Sequence, residues 1–317
     1  MSGAESVRPD VRAIMDSPSY ELAERDLKFL ARPELRPVRV QLELLKPELA
    51  FVEQQVRSTI VLFGGTQIWE PAAAAERLRA AEAALAAAPD DARLARLADR
   101  ARRLSDKSKY YDAARQFSAL VSEKGQSQTV DRQYVIMTGG GPGIMEAGNR
   151  GAHDVGAKSI GLNIKLPEEQ ASNAFVTPGL GFSFHYFAMR KFHFLLRAQA
   201  LVVFPGGFGT LDEMFELLTL NQTRKLAKQM TIVVYGSAYW KSVVDFEFLI
   251  EKGTISRDDL ELFHFADTPE DAFAILKENL TRNYLEAAKI PEIPQVEEQA
   301  DVEVEIPLRP EIAKTRP

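Results

Sequence analysis

Five short apolar runs, separated by stretches of helical periodicity, constrain the fold of this chain more than any other feature. Each run is four to six residues long and largely apolar, as expected for a strand that is covered on both faces. Strands that alternate with helices favour an α/β protein with a parallel sheet and crossover helices. The predicted strands are Thr59–Phe63, Tyr134–Met137, Ser159–Ile164, Ala200–Phe204 and Met230–Tyr235, and the predicted helices cover 110–123, 143–155, 185–199, 210–223 and 237–251.

The remaining segments divide the chain into an arm, a core, an insert and a tail. Residues 1–50 carry scattered prolines between short helical patterns, which predicts a helical arm that wraps the core or a partner subunit. Residues 51–290 contain these strands and helices and form one predicted domain. Within it, the Ala-, Arg- and Leu-rich stretch 71–104 predicts an inserted helical hairpin, either a lid or oligomer contact or a solvated decoration. The acidic, proline-rich tail 291–317 is predicted to be extended or disordered.

Composition excludes several classes of protein. The net charge of −6 argues against a nucleic-acid-binding surface. The chain has no cysteine, so disulfides, thiolate metal sites and a cysteine nucleophile are excluded together. We recognise neither a signal peptide nor an apolar stretch of about 20 residues, and therefore predict a cytoplasmic protein without a membrane partner.

The turn at residues 204–213 reads Phe-Pro-Gly-Gly-Phe-Gly-Thr-Leu-Asp-Glu and joins an apolar run to a helical pattern. Glycines let the backbone approach a ligand closely, and a helix N-terminus offers free N–H groups and positive potential. We therefore predict an anion site, most often one for phosphate. Thr210 is predicted to open the helix, so that the Glu213 carboxylate lies on the first turn beside the anion.

A second glycine-rich turn follows the strand at 134–137 and reads Thr138-Gly-Gly-Gly-Pro-Gly-Ile-Met-Glu146. Two such turns on one parallel sheet can face one crevice at the carboxyl ends of the strands. This predicts a nucleotide or phosphosugar site, which a third turn at 63–67 can also line. Neither the G-x-G-x-x-G dinucleotide fingerprint nor the P-loop motif occurs in the sequence.

Basic residues precede the strand at 200–204. Met189, Arg190 and Lys191 lie on a predicted helix, and an arginine beside an anion site can hold phosphate or carboxylate bidentately. The alternative interpretation is that these basic residues lie on an ordinary solvated face of the helix. The four histidines do not pair at metal-ligand spacing, and we predict neither a metal nor another cofactor.

These motifs together resemble one known family. Residues 205–213 match the string P-G-G-x-G-T-x-x-E; with 139–145 and the Arg190-Lys191 pair, the chain resembles the LOG family of cytokinin-activating nucleoside-monophosphate phosphoribohydrolases. The resemblance covers about residues 50–285, and the arm is similar to that of the longer bacterial members. It implies a Rossmann-like, doubly wound parallel sheet with helices on both faces, and assembly as a homodimer or a larger homo-oligomer.

The resemblance also implies an activity and a site. The family hydrolyses the N-glycosidic bond of AMP or of N6-modified adenosine monophosphates, releasing free base and ribose 5-phosphate. Glu213 and Arg190 are the implied catalytic pair, and an arginine beside the glutamate is expected to keep it ionised. The implied phosphate and nucleotide contacts are Gly206, Gly207, Gly209, Thr210, Gly139, Gly140, Gly141, Gly143, Lys191 and Met189.

Two other functions stay open at this point. A related protein of the same superfamily resembles a molybdenum-cofactor carrier that performs no hydrolysis and does not need Glu213. The family's former "lysine decarboxylase-like" label would require a lysine that forms a Schiff base, and no lysine here has a distinctive context. The sequence also departs from the family where Gly64-Gly-Thr-Gln67 ends the first strand, and at His193 and Gln199.

Overall fold

The core of the molecule is a single parallel sheet. The computed structural model describes residues 8–126, 132–165, 171–226 and 229–286. The strands in these ranges are β1 Thr59–Phe63, β2 Val135–Thr138, β3 Ser159–Ile164, β4 Gly181–Phe184, β5 Ala198–Val203, β6 Thr231–Tyr235 and β7 His264–Ala266. They form a seven-stranded sheet in the order β4-β3-β2-β1-β5-β6-β7, with every neighbouring pair parallel. The predicted α/β fold with a doubly wound parallel sheet is confirmed.

Helices connect most of these strands. They are α1 Pro9–Met15, α2 Leu27–Leu30, α3 Arg36–Glu53, α4 Pro71–Ala87, α5 Ala92–Ser105, α6 Lys109–Gln126, α7 Ile144–Asp154, α8 Phe187–Leu196, α9 Phe208–Gln222, α10 Ser237–Val243, α11 Phe246–Glu251 and α12 Pro269–Leu280. Short 3-10 turns cover Pro18–Tyr20, Pro33–Leu35 and Arg257–Leu262, and a π-helical turn covers Thr281–Glu286.

The apolar runs form strands because both faces of the sheet are covered. Successive side chains of a strand point to opposite faces. In β1, Ile60 and Leu62 therefore enter one apolar layer, whereas Val61 and Phe63 enter the other. Residues of α6, α7 and α12 belong to the first layer, and residues of α3, α8 and α9 to the second. Helices thus lie on both faces, as the sequence predicts.

Two strands and several helix boundaries differ from the sequence prediction. The predicted helix over 185–199 ends at Leu196, and Ala198 and Gln199 belong to β5. β4 lies at the sheet edge with alternating exposed and buried residues, so it lacks the continuous apolar run used to find the others. β7 is only three residues long. The predicted helix over 237–251 is divided, because the Asp245 side chain accepts the Phe248 N–H at 2.9 Å and begins a new helix there.

The insert is a helical hairpin of α4 and α5. Asp91 begins α5, because its side chain accepts hydrogen bonds from the N–H groups of Arg93 and Leu94. Arg102 of α5 pairs with Glu82 of α4 at 2.9 Å. The division into arm, catalytic domain and tail stays a prediction, and the predicted tail 291–317 lies outside the described residues.

The strand order creates a crevice beside the two central strands. From β1 the chain moves outward through β2 to β4, and it then returns to pair β5 on the other side of β1. Ligands of open α/β sheets bind outside the carboxyl ends of the strands at such a switch point. The glycine-rich turns follow β1, β2 and β5, so all three lie around this crevice.

Candidate active site

The three glycine-rich turns contact one another at the switch point. The Gly65 N–H donates to the Pro205 carbonyl at 2.9 Å, and the Ile144 N–H donates to the Gly65 carbonyl at 3.2 Å. Gly143 has a φ of +72°, and a Cβ there would lie 2.5 Å from the Gly65 oxygen. A larger residue is therefore excluded at this position by both backbone conformation and packing. The third predicted turn is thus a structural partner of the other two.

The turn after β5 forms an open cradle at the N-terminus of α9. Gly207 is the N-cap residue, and its carbonyl accepts the N–H groups of Thr210 and Leu211 at 3.0 Å. The N–H groups of Phe208 and Gly209, which come before these two, make no backbone hydrogen bond with the described residues. A Cβ at Gly207 or at Gly209 would meet nothing within 4 Å, so the cradle is accessible from outside. The arrangement can bind an anion such as a phosphate group.

Glu213 lies further from this cradle than the sequence predicts. The helix begins at Phe208 rather than at Thr210, which makes Glu213 its sixth residue and puts it on the second turn. It lies four positions after Gly209, or about 6 Å along the helix axis. Glu213 therefore follows the cradle by about one turn of α9 and does not belong to the first turn.

Burial controls the chemistry of Glu213. Only 6% of the residue is exposed. Burial raises the pKa of its carboxyl to about 7. The positive charges of Lys191 and Arg190 lower this pKa but do not offset the effect of burial. The carboxylates of Glu216 and Asp212 raise it further. The expectation that Arg190 keeps Glu213 ionised is therefore wrong at neutral pH, where both protonation states are populated. A group with such a pKa can exchange protons during a reaction near pH 7.

The side chain of Arg190, on α8, lies beside the glycine turn after β2. Its guanidinium lies 4.3 Å from the ring centroid of Phe187 and 5.8 Å from that of Phe194. One terminal nitrogen is 3.8 Å from the position of a Cβ on Gly139. The Arg190 Nε is buried and finds no hydrogen-bond partner among the described residues. Burial lowers the pKa of this guanidinium, and the nearby carboxylates Glu213 and Asp212 oppose that effect.

Lys191 and Met189, both predicted to contact nucleotide, are engaged with the protein. The Lys191 ammonium lies 3.0 Å from an Asp212 carboxylate oxygen and 2.9 Å from one of Glu216. Burial lowers the Lys191 pKa, but the contacts with Glu216 and Asp212 outweigh burial and raise it overall. Met189 is half-buried against the apolar layer under α8. Lys191 therefore links α8 to α9 on the side of Glu213.

The turn after β2 is held by side chains that sequence reasoning missed. Asn163 donates to the Gly140 carbonyl at 3.3 Å, and Asn173 donates to the Gly141 carbonyl at 3.1 Å. The Tyr239 hydroxyl similarly donates to the Gly206 carbonyl at 2.7 Å and fixes the open cradle. No motif connects these residues to the turns, since they lie 23 to 33 positions away along the chain.

Phe208 is a second feature that the sequence alone does not interpret. Its side chain is 92% exposed, although it lies between Gly207 and Gly209 at the opening of the cradle. A phenylalanine ring in water forgoes the stabilisation that burial would supply, about 1.5–3 kcal/mol. The ring is therefore an apolar surface that is available to a ligand or to another protein at the edge of the crevice.

The fold and the site together define a Rossmann-like α/β protein with a glycine-lined crevice, a buried carboxyl group and a half-buried arginine. The family model described as "Possible lysine decarboxylase" matches residues 145–276. These residues include α8, the open cradle and Glu213.

Curated relatives carry phosphoribohydrolase names. A "Probable cytokinin riboside 5'-monophosphate phosphoribohydrolase" of Oryza sativa subsp. japonica is 27% identical over 165 residues, or 51% of this chain and 70% of the relative. A cytokinin riboside 5'-monophosphate phosphoribohydrolase of Arabidopsis thaliana is 23% identical over 181 residues, or 56% of this chain and 80% of the relative. The family model and these relatives therefore show that about half of the chain is similar to LOG phosphoribohydrolases.

Solved structures give more distant likenesses. The X-ray structure of the structural genomics target TM1055 has a TM-score of 0.42 at 19% identity and covers 70% of this chain and 99% of that one. The molybdenum cofactor binding protein from the phototrophic bacterium Rippkaea orientalis has a TM-score of 0.39 at 19% identity and covers 54% of this chain and 88% of that one.

Proposed function

We propose that the protein hydrolyses the N-glycosidic bond of AMP or of an N6-modified adenosine 5'-monophosphate to give free base and ribose 5-phosphate. The observation that carries this proposal is the position of Glu213, a buried carboxyl group with a pKa of about 7, one helical turn beyond an open amide cradle. The names of the curated relatives support the same reaction.

The cradle would bind the 5'-phosphate. The free N–H groups at the start of α9 and the positive end of that helix suit a phosphate group. The phosphate is remote from the bond that breaks, so its binding energy can orient the sugar at Glu213 without being lost in the reaction. This arrangement predicts a large preference for AMP over adenosine.

Glu213 would act at the anomeric carbon. Cleavage of a ribose–base bond develops positive charge on the sugar ring, as in glycoside hydrolysis. The ionised Glu213 carboxylate can stabilise this charge or take a proton from the attacking water. Arg190 has no carboxylate partner within hydrogen-bond distance among the described residues, so its guanidinium is available to hold the nucleotide.

The direct test is product analysis with AMP and the Glu213→Gln variant. The wild-type protein should release adenine and ribose 5-phosphate, and the variant should lose about 10²- to 10⁴-fold in turnover because it keeps the shape and lacks the charge. Adenosine serves as the substrate control. AMP that binds and is recovered intact would contradict hydrolysis and indicate a carrier, whereas equal rates with adenosine would contradict the phosphate role of the cradle.

Two further expectations accompany this function. Within the described residues, no helix is long and apolar enough to cross a membrane; a cytoplasmic location stays a prediction. We also expect a homodimer or a larger homo-oligomer, which light scattering of the purified protein would measure. Neither expectation enters the chemistry proposed for Glu213.

A further inference from the structure

We propose that Glu43, on helix α3 near the N-terminus, is a positioning residue that sets the place of Arg190 in the site. The inference rests on the proposed function, because it assigns Glu43 a role in the same reaction. Glu43 lies 147 positions before Arg190. It acts on the start of α8, the helix that carries Arg190.

The Glu43 carboxylate binds the backbone at the N-terminus of α8. One oxygen accepts the His185 N–H at 2.7 Å, and the other accepts the Tyr186 N–H at 3.2 Å. Tyr186 is the N-cap residue, and its own side chain caps no N–H group of the helix. A carboxylate from another helix thus accepts the N-cap N–H, as the glutamate of a capping box does, and puts negative charge at the positive end of α8.

Tyr186, which donates to Glu43, is also hydrogen-bonded to the backbone of Arg190. The carbonyl of Tyr186 accepts the Arg190 N–H at 3.3 Å, which is an i to i−4 bond at the start of α8. The peptide groups on both sides of Tyr186 are therefore fixed, one by Glu43 and the other by Arg190. Arg39 of α3 adds a further restraint, because its Nε donates to the Tyr186 hydroxyl at 3.1 Å.

Helix α3 also holds the remainder of α8. The His193 Nε2 lies 2.9 Å from the Glu43 carbonyl, which can only accept, so Nε2 is the donor. Arg197, directly after α8, pairs with Glu48 at 2.7 Å and donates to the Val56 carbonyl at 2.8 Å. A ten-residue helix restrained at its start, middle and end by one neighbour cannot shift without breaking several of these bonds.

Arg190 needs this external support because its guanidinium is weakly held. Its contacts with the protein are aromatic faces, and its Nε has no hydrogen-bond partner among the described residues. Its placement therefore depends on the backbone of α8. A displacement of about 1 Å in a positioning group can lower a rate 10²-fold.

The test compares Glu43→Ala and Glu43→Gln with Glu53→Gln. Glu53 lies on the same helix, is exposed, and makes no hydrogen bond or ion pair with the described residues. Glu43→Ala should lower kcat for AMP about 10- to 100-fold. Glu43→Gln should recover part of the activity, because the amide oxygen still accepts one N–H group while its NH2 group cannot accept the other. The Glu53→Gln control should match wild type.

The pH profile separates positioning from loss of folded protein. Glu213 is faced by Lys191, Glu216, Arg190 and Asp212. When Arg190 moves away, one of the two positive groups that lower the Glu213 pKa is weakened, so the acid limb of kcat should move to higher pH in Glu43→Ala. Two results for Glu43→Ala would overturn the proposal. One is a loss of activity that matches the loss of folded protein, with the acid limb of kcat at the wild-type pH. The other is a wild-type kcat.

A failure of the proposed function would be visible separately. If the wild-type protein releases no base from AMP, hydrolysis is wrong, and the role of Glu43 is then measured without turnover. Hydrogen exchange of the amides at 186–190 should be faster in Glu43→Ala than in Glu53→Gln, and calorimetry should show weaker AMP binding. Unchanged exchange and binding would overturn the inference.

Discussion

The two glycine-rich turns read alike in sequence, yet their glycines serve different purposes. In the turn after β2, a Cβ on Gly143 would collide with the Gly65 carbonyl, and one on Gly140 would collide with Asn163. In the turn after β5, a Cβ on Gly207 or Gly209 would meet nothing within 4 Å. The glycines of the turn after β2 permit close packing of protein on protein, whereas Gly207 and Gly209 leave space that a ligand can fill. The difference favours the turn after β5 as the proposed anion site.

The largest effect is expected from Gly143→Ala. This substitution forces an alanine into a positive φ and against the Gly65 backbone, neither of which can relax cheaply. We expect a loss of at least about 3 kcal/mol in the free energy of unfolding, or an insoluble protein. Denaturant titration measures this free energy. Stability close to wild type would show that the turn after β2 is not packed as described.

The next effect concerns Glu213, which is buried on the second turn of α9. Its pKa is raised from 4.5 to about 7 in the folded protein, so its stabilising contribution is complete below pH 4.5 and is lost as the pH rises through 7. Relative to wild type, Glu213→Gln should gain up to about 3 kcal/mol of stability between pH 4.5 and pH 8. Thermal unfolding across this range measures the gain, and parallel curves for the two proteins would contradict it.

A smaller effect should appear in the pH dependence of turnover. If the ionised carboxylate is the active form, kcat for AMP should fall about tenfold per pH unit below a pKa near 7. Saturating AMP separates this limb from titration of the free nucleotide. A rate that instead rises toward acid pH would assign the protonated form of Glu213 to the reaction.

The smallest effect on stability, with a clear effect on binding, is expected from Gly209→Ala. Alanine is favoured over glycine within a helix by about 1 kcal/mol, and the added methyl group meets no protein atom. The protein should therefore stay folded, whereas the methyl group should crowd the phosphate and raise KM for AMP about tenfold. Comparison with Gly143→Ala then distinguishes a glycine that faces the ligand from one that is needed for packing. An unchanged KM in Gly209→Ala would show that the turn after β5 does not contact the phosphate.

Local patterns predicted much of the fold and part of the site. The apolar runs identified β1, β2, β3, β5 and β6, because a strand buried on both faces is marked by composition alone. The glycine motif identified the cradle, since a tight turn before a helix requires glycine at fixed spacing. The sequence also predicted the proximity of Arg190 and Glu213, although this came from family resemblance rather than from spacing.

The remaining features depend on contacts between distant parts of the chain. Glu43 is one of many glutamates in the arm, and nothing near it in sequence indicates a partner on α8. The Glu213 pKa is set mainly by burial within the whole fold. The neighbouring arginine alone predicted a lowered pKa, whereas the pKa is raised. β4 escaped detection because it has one exposed face and no continuous apolar run.

The bonds between α3 and α8 also constrain the order in which the molecule can be assembled. Glu43 and His185 are separated by 142 positions, so a ribosome that adds about 5–20 residues per second delivers the second roughly 7 to 28 s after the first. During that interval α3 has emerged without its partner helix. The arm must therefore remain soluble and undocked during synthesis, and the arginine reaches its final place only after most of the sheet has been translated.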